Sequence, residues 1–162
     1  MTRCYVSLRP PVAVGDAVAE VRGDDDRVRW SDPDDYHVTL RFYPDVDRDR
    51  LVEALRTFRF PPIEVVGGPA ARAMFDQVVA VPIGGADEIV TAVVEATRSL
   101  APKPSPFRGH LTVGYFRDGA ERAFVPRPVE IGWVATSMIV VESIPVGGRY
   151  DHGDLAEVAF AI

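Results

Sequence analysis

Two segments, His37-Val38-Thr39-Leu40 and His110-Leu111-Thr112-Val113, run histidine, apolar, threonine, apolar in the same order. In an extended chain alternate side chains point to opposite faces, and same-face neighbours lie about 6.6 Å apart. Each segment therefore reads as a β-strand with a polar front and an apolar back. His37 and Thr39 share one front, His110 and Thr112 the other, while Val38, Leu40, Leu111 and Val113 supply the buried sides. Only seven of the 162 residues are threonine, so its recurrence two places after two of the three histidines is a poor coincidence. The same alternation extends the first front to Arg41 and Tyr43, and the second to Arg108, Gly114 and Phe116.

The rest of the chain alternates strands and helices. Strands are expected at residues 3–8, 27–30, 36–43, 63–66, 77–82, 110–116, 129–134, 137–142 and 155–161. Helices are expected after Pro10-Pro11, over residues 45–58 with Asp45 or Asp47 as N-cap, and over about residues 86–100. The segments Ser31 to Asp35, Pro102 to Gly109 and 117–121 read as turns or loops. His152, in the Gly- and Asp-rich Tyr150 to Asp154, is expected on a loop. No solenoid period is present, and the mixture indicates an α+β fold.

Length and composition narrow the function classes. A chain of 162 residues with 47% hydrophobic and 26% charged residues suits one globular domain over residues 1–162. A net charge of −6 has the wrong sign for gripping long nucleic acid through many phosphates, which leaves short substrates and a local basic patch. Of the 18 basic residues 17 are arginines, and Lys103 is the only lysine. Cys4 is expected in the core, with no redox role. Three histidines and one cysteine do not provide a Cys/His metal site, and Asp24 to Asp26 lacks the spacing of a calcium loop. No metal, cofactor or membrane segment is expected, the start of the chain reads as lacking a leader, and a cytoplasmic monomer is anticipated.

The paired motifs point to phosphate chemistry. Imidazole titrates near neutrality, so one histidine can act as base while the other, protonated, acts as acid in the same pH range. Threonine hydroxyls can donate to the non-bridging oxygens of a phosphodiester held between them. Motifs for serine hydrolases, zincins, P-loops and dinucleotide-binding folds are absent.

The tandem motifs resemble the two-histidine phosphoesterase superfamily, specifically its RNA 2′,3′-cyclic phosphodiesterase branch, also called 2′-5′ RNA ligase-like. The surroundings extend the resemblance: the opening strand and Pro-led helix, His37 to Phe42, Pro106 to Val113, and Glu142 to Tyr150 before a last strand. The resemblance implies two intertwined lobes related by a pseudo-twofold, with antiparallel sheets around a central cleft, helices outside, and one motif in each lobe (residues 37–40 and 110–113). It also implies hydrolysis of 2′,3′-cyclic phosphodiesters at RNA ends or in small nucleotides to a 2′-phosphate. His37 would be proton donor, His110 proton acceptor, and Thr39 and Thr112 phosphate ligands. Gly109, Tyr43-Pro44 and Tyr115 depart from the family pattern, so further substrate contacts are expected among Arg41, Arg108, Phe116 and Arg117. Two other readings use the same cleft: a binding module for a phosphorylated nucleotide or RNA end, and 2′-5′ RNA ligation.

Overall fold

Each strand anticipated from alternation is present in the computed structural model, which describes residues 1–117 and 123–161. The elements are β1 (Thr2–Leu8), α1 (Val12–Ala19), β2 (Val28–Trp30), β3 (Val38–Val46), α2 (Arg48–Arg56), β4 (Ile63–Gly67), β5 (Ala70–Met74), β6 (Val78–Gly84), α3 (Asp87–Ala96), β7 (His110–Phe116), β8 (Arg127–Pro128), β9 (Ile131–Ala135), β10 (Ser137–Val146) and β11 (Arg149–Ala159). Helix α1 starts after Pro11. Asp47 caps α2, its carboxylate accepting from the N–H groups of Asp49 and Arg50 at 3.1 and 3.2 Å.

Three local features differ from expectation. Strand β5 and its hairpin to β6 have no Asn-Gly signal, because the turn places Phe75 and Asp76 in the left-handed region at φ 55° and 58°. Gly147 and Gly148 make the corresponding turn between β10 and β11. Strand β11 consequently begins at Arg149, and His152 lies on a strand opposite Ser143 instead of on a loop. Within Ser31 to Asp35, residues Pro33–Asp35 close a 3-10 turn capped by Asp32. The turn expected over residues 117–121 falls outside the described residues beyond Arg117.

The strands form one antiparallel sheet in the order β11-β10-β1-β3-β7-β6-β4-β9, with β2 on β7, and β5 on β6 and β8. The connectivity interleaves the chain: the C-terminal hairpin β10–β11 flanks β1, and β4 sits between β6 and β9. The join between the β1–β3 half and the β6–β7 half is narrow. Strands β3 and β7 pair only through Val38 and Leu111. Both residues are fully buried, in the cluster that gathers Cys4, Val6, Leu8, Val79 and Val81 from the sheet with Leu51, Leu55, Ile89 and Val93 from the helices. Burial there pushes the Cys4 thiol up to about 11, which leaves it protonated and unreactive. This layer is the back of the sheet, and the opposite face is free to form a site. Among the described residues, no helix is long and apolar enough to cross a membrane.

Leu111→Ala should lower unfolding stability by about 2–5 kcal/mol, measured by urea denaturation. Because Leu111 backs the junction, the loss should be accompanied by reduced activity even where the variant remains folded.

Candidate active site

Both motif strands are kinked at the same place. Ser7 of β1 pairs with Thr39, yet Val6 pairs with Arg41, so Leu40 is an unpaired bulge residue. Strand β6 repeats this on β7, where Ala80 pairs with Thr112 and Val79 with Gly114, leaving Val113 over. A bulge shifts the alternation by one residue, which reverses the facing of everything beyond it. The front extrapolated in both motifs is therefore corrected after the threonine. Arg41, Tyr43, Gly114 and Phe116 turn to the back, and Phe42 and Tyr115 take the front.

The corrected residues have structural partners. Arg41 is 4% exposed and donates to the carbonyls of Pro102 at 2.6 Å and Val94 at 3.4 Å, and to Thr97 Oγ1 at 3.3 Å. The Tyr43 hydroxyl is 2.7 Å from the same Thr97 oxygen. Gly114 faces β2, where a Cβ would come within 2.7 Å of Val28. Phe116 packs edge-on against Phe124 at 5.5 Å. Arg117 is exposed past the end of β7, its N–H bonded to the Arg27 carbonyl.

The catalytic candidates, in contrast, are brought together. Antiparallel pairing of Val38 with Leu111 sets His37 opposite Thr112 and Thr39 opposite His110. The two histidines then occupy one diagonal of a four-residue square and the two threonines the other, with about 7–8 Å between diagonal positions. Each ring is oriented identically: His37 Nδ1 lies 2.8 Å from the Asp35 carbonyl, and His110 Nδ1 lies 2.9 Å from the Arg108 carbonyl. The N–H donated there leaves Nε2 of each ring for the substrate.

Aromatic rings pack against both imidazoles. Tyr5 stacks on His37 with centroids 5.1 Å apart, and Phe75 meets His110 edge-on at 4.8 Å. The Arg108 guanidinium covers the Phe75 ring at 4.7 Å. His152 also reaches this face, edge-on to Tyr5 at 5.6 Å, with Nδ1 3.1 Å from the Ser143 hydroxyl. Burial is the main cause holding the His37 pKa below the ordinary imidazole range, and it outweighs the opposing bond to the Asp35 carbonyl.

Where β3 diverges from β7, a groove of about 1220 Å³ opens beside Thr39 and His110, walled by Phe42, Phe75 and Phe107, flanked by Lys103 and Arg108, and lined also by Arg41. Gly109, one of the departures from the family pattern, has a direct cause: a Cβ there would lie 2.4 Å from the Ile83 carbonyl oxygen. Tyr115 stacks under Arg29 at 5.0 Å, and Arg3 lies over both Phe42 and Tyr150 at 4.3 and 4.2 Å. These arginines give an acidic chain its local basic patch. Neither they nor Phe75 were legible as site residues, because they reach the face through strand pairing and through an unmarked hairpin.

Residues 8–68, which hold the first histidine motif, match the family described as LigT like phosphoesterase. The whole chain has the fold of such proteins. E. coli LigT complexed with 3′-AMP superposes with a TM-score of 0.79 at 20% identity, over 99% of each chain. TT0787 of Thermus thermophilus gives 0.81 at 16% identity, over 98% of this chain and 97% of that one. The PDE domain of MHV ns2 gives 0.58 at 14% identity, over 86% and 99%. Among curated proteins, no sequence matches significantly. The family model covers residues 8–68, and the likeness over the whole chain is one of fold.

The depressed His37 pKa fixes the sign of a pH effect. Burial favours the neutral ring, so its contribution to stability is present above the unfolded value of about 6.5. It is lost as pH falls through the lower folded value. An NMR titration should place His37 below that unfolded value, and His37→Gln should lessen the acid-side loss of stability seen in urea unfolding.

Proposed function

We propose that this protein hydrolyses 2′,3′-cyclic phosphodiesters, at RNA ends or in small nucleotides, to 2′-phosphates without a metal ion. The observation that carries this reading is the square of two imidazoles and two threonines, each histidine opposite the other motif's threonine across the Val38–Leu111 pair. The residues 1–162 act as one domain, with each half of the sheet contributing one acid–base group and one hydroxyl. The E. coli LigT structures with 3′-AMP, ATP and NADP+ support a nucleotide as the ligand.

In this reading Thr39 and Thr112 donate hydrogen bonds to the non-bridging oxygens and hold the phosphorus between the rings. His110 Nε2 takes a proton from the attacking water as the new P–O bond forms. His37 Nε2 gives its proton to the 3′ oxygen as the P–O3′ bond breaks, and the phosphate stays on the 2′ oxygen. Burial favours the neutral form of His37 in the free protein, so the donor role requires the bound substrate to promote its protonation. The substrate's negative charge raises the share of that protonated form. Tyr5 and the Asp35 carbonyl hold the donor ring, and Phe75 and the Arg108 carbonyl hold the acceptor.

The test is incubation in EDTA with an oligoribonucleotide ending in a 2′,3′-cyclic phosphate. Wild type should yield the 2′-phosphate, identified by mass spectrometry and by the position of the phosphate. His37→Ala and His110→Ala should each lower kcat by ~10²-fold or more while remaining folded. A folded wild type that binds the oligonucleotide and leaves it intact would instead favour a binding module.

A further inference from the structure

The two halves of the site match at the histidines and threonines but differ one and two strands further out. In the first half Thr39 is followed across the sheet by Ser7 on β1 and then Ile139 on β10. In the second half Thr112 is followed by Ala80 on β6 and then Arg72 on β5. Opposed residues in antiparallel strands point to the same face, so His37, Thr112, Ala80 and Arg72 form a row on the front. Two strand spacings, about 10 Å, separate Arg72 from Thr112. The residue between them is a methyl group, and an arginine side chain can extend over it toward the threonine.

The charge around that row is positive. Arg72 is exposed and makes no ion pair or side-chain hydrogen bond to another described residue, whereas Arg9 on the other side of the cleft is paired with Asp154. Arg29 adds a second guanidinium to the same front, lying over Tyr115. Strands β2, β5, β6 and β7 contain no aspartate or glutamate. Among the described residues, an anion leaving the central square past Thr112 therefore meets Arg72 and Arg29 on strands free of carboxylates, while past Thr39 it meets Arg3, Lys103 and Arg108 around the groove.

We propose that Arg72, assisted by Arg29, forms a second anion subsite that takes a further phosphate of the substrate on the Thr112 side of the scissile one. The substrate class is then a nucleotide bearing both a 2′,3′-cyclic phosphate and a 5′-phosphate, as an RNA end does, in preference to a cyclic mononucleoside phosphate. No arginine stands at the register position that matches Arg72 beyond Thr39, where Ser7 and Ile139 stand, so this contact distinguishes the two halves of the site. This assignment rests on the hydrolytic reading only in naming which phosphate reacts.

The experiment separates the two ideas by measuring binding apart from turnover. Calorimetry at low salt compares uridine 2′-phosphate with uridine 2′,5′-bisphosphate, for wild type, Arg72→Ala, Arg72→Lys and Arg29→Ala. Wild type should bind the bisphosphate at least ~10-fold more tightly, as expected for a charge-assisted phosphate contact. Arg72→Ala should bring that ratio to near unity without changing affinity for the monophosphate. Arg72→Lys should retain part of it, and Arg29→Ala should lower it. Equal affinity of wild type for the two ligands, or a preference that survives in Arg72→Ala, would overturn the subsite. Turnover of uridine 2′,3′-cyclic phosphate with and without a 5′-phosphate is followed in parallel. Absence of turnover with the bisphosphate preference intact would reject the hydrolytic reading and leave the subsite standing.

Discussion

The pairing of Val38 with Leu111 is the contact on which the site depends. It is the one paired position between the two motif strands, and both residues are fully buried. Because strand side chains alternate with period two, a slip of one residue would turn either His37 and Thr39 or His110 and Thr112 away from the other pair. Burying both apolar side chains in the common core opposes that slip, since a shifted register would put polar groups into the core and apolar groups into the cleft. Catalytic geometry and core packing are thus held by the same strand pairing.

The paired bulges at Leu40 and Val113 add a second constraint. Each lets the strand carry its polar pair on the front through the threonine and then turn the residue two places further on to the back. In the first half the inverted residues are Arg41 and Tyr43, whose polar ends meet at Thr97 near the end of α3. The arginine that simple alternation assigns to the substrate binds the Pro102 carbonyl at the start of the loop leading to His110 and also lines the groove beside Thr39. The bulge therefore links the first motif to the segment that delivers the second.

Charge follows the same geometry. The chain is acidic overall, yet Arg3, Arg29, Arg72 and Arg108 are arranged around the front, three of them spread over aromatic rings. Stacking holds a guanidinium in place without neutralising it, so the charge remains available to an anion. Net charge describes the long-range field, whereas a bound phosphate senses the few groups within a screening length.

Most strands, the helix starting after Pro11, the helix capped at Asp45 or Asp47, and the two histidine–threonine pairs were legible in the amino-acid order, because they depend on local alternation and capping that a short segment already contains. Which residues past each threonine face the cleft was not. That choice is made by register between strands far apart in the chain, which inverted Arg41, Tyr43, Gly114 and Phe116 and brought forward Phe42 and Tyr115. Nor could local composition place His152, since a Gly- and Asp-rich segment became a strand once β10 offered it a full partner. Phe75 adopts a left-handed turn that glycine or asparagine would normally signal, and Arg72 reaches the site only through two successive strand pairings. Pairing across the sheet is non-local, and for this protein it is what turns two similar strands into one site.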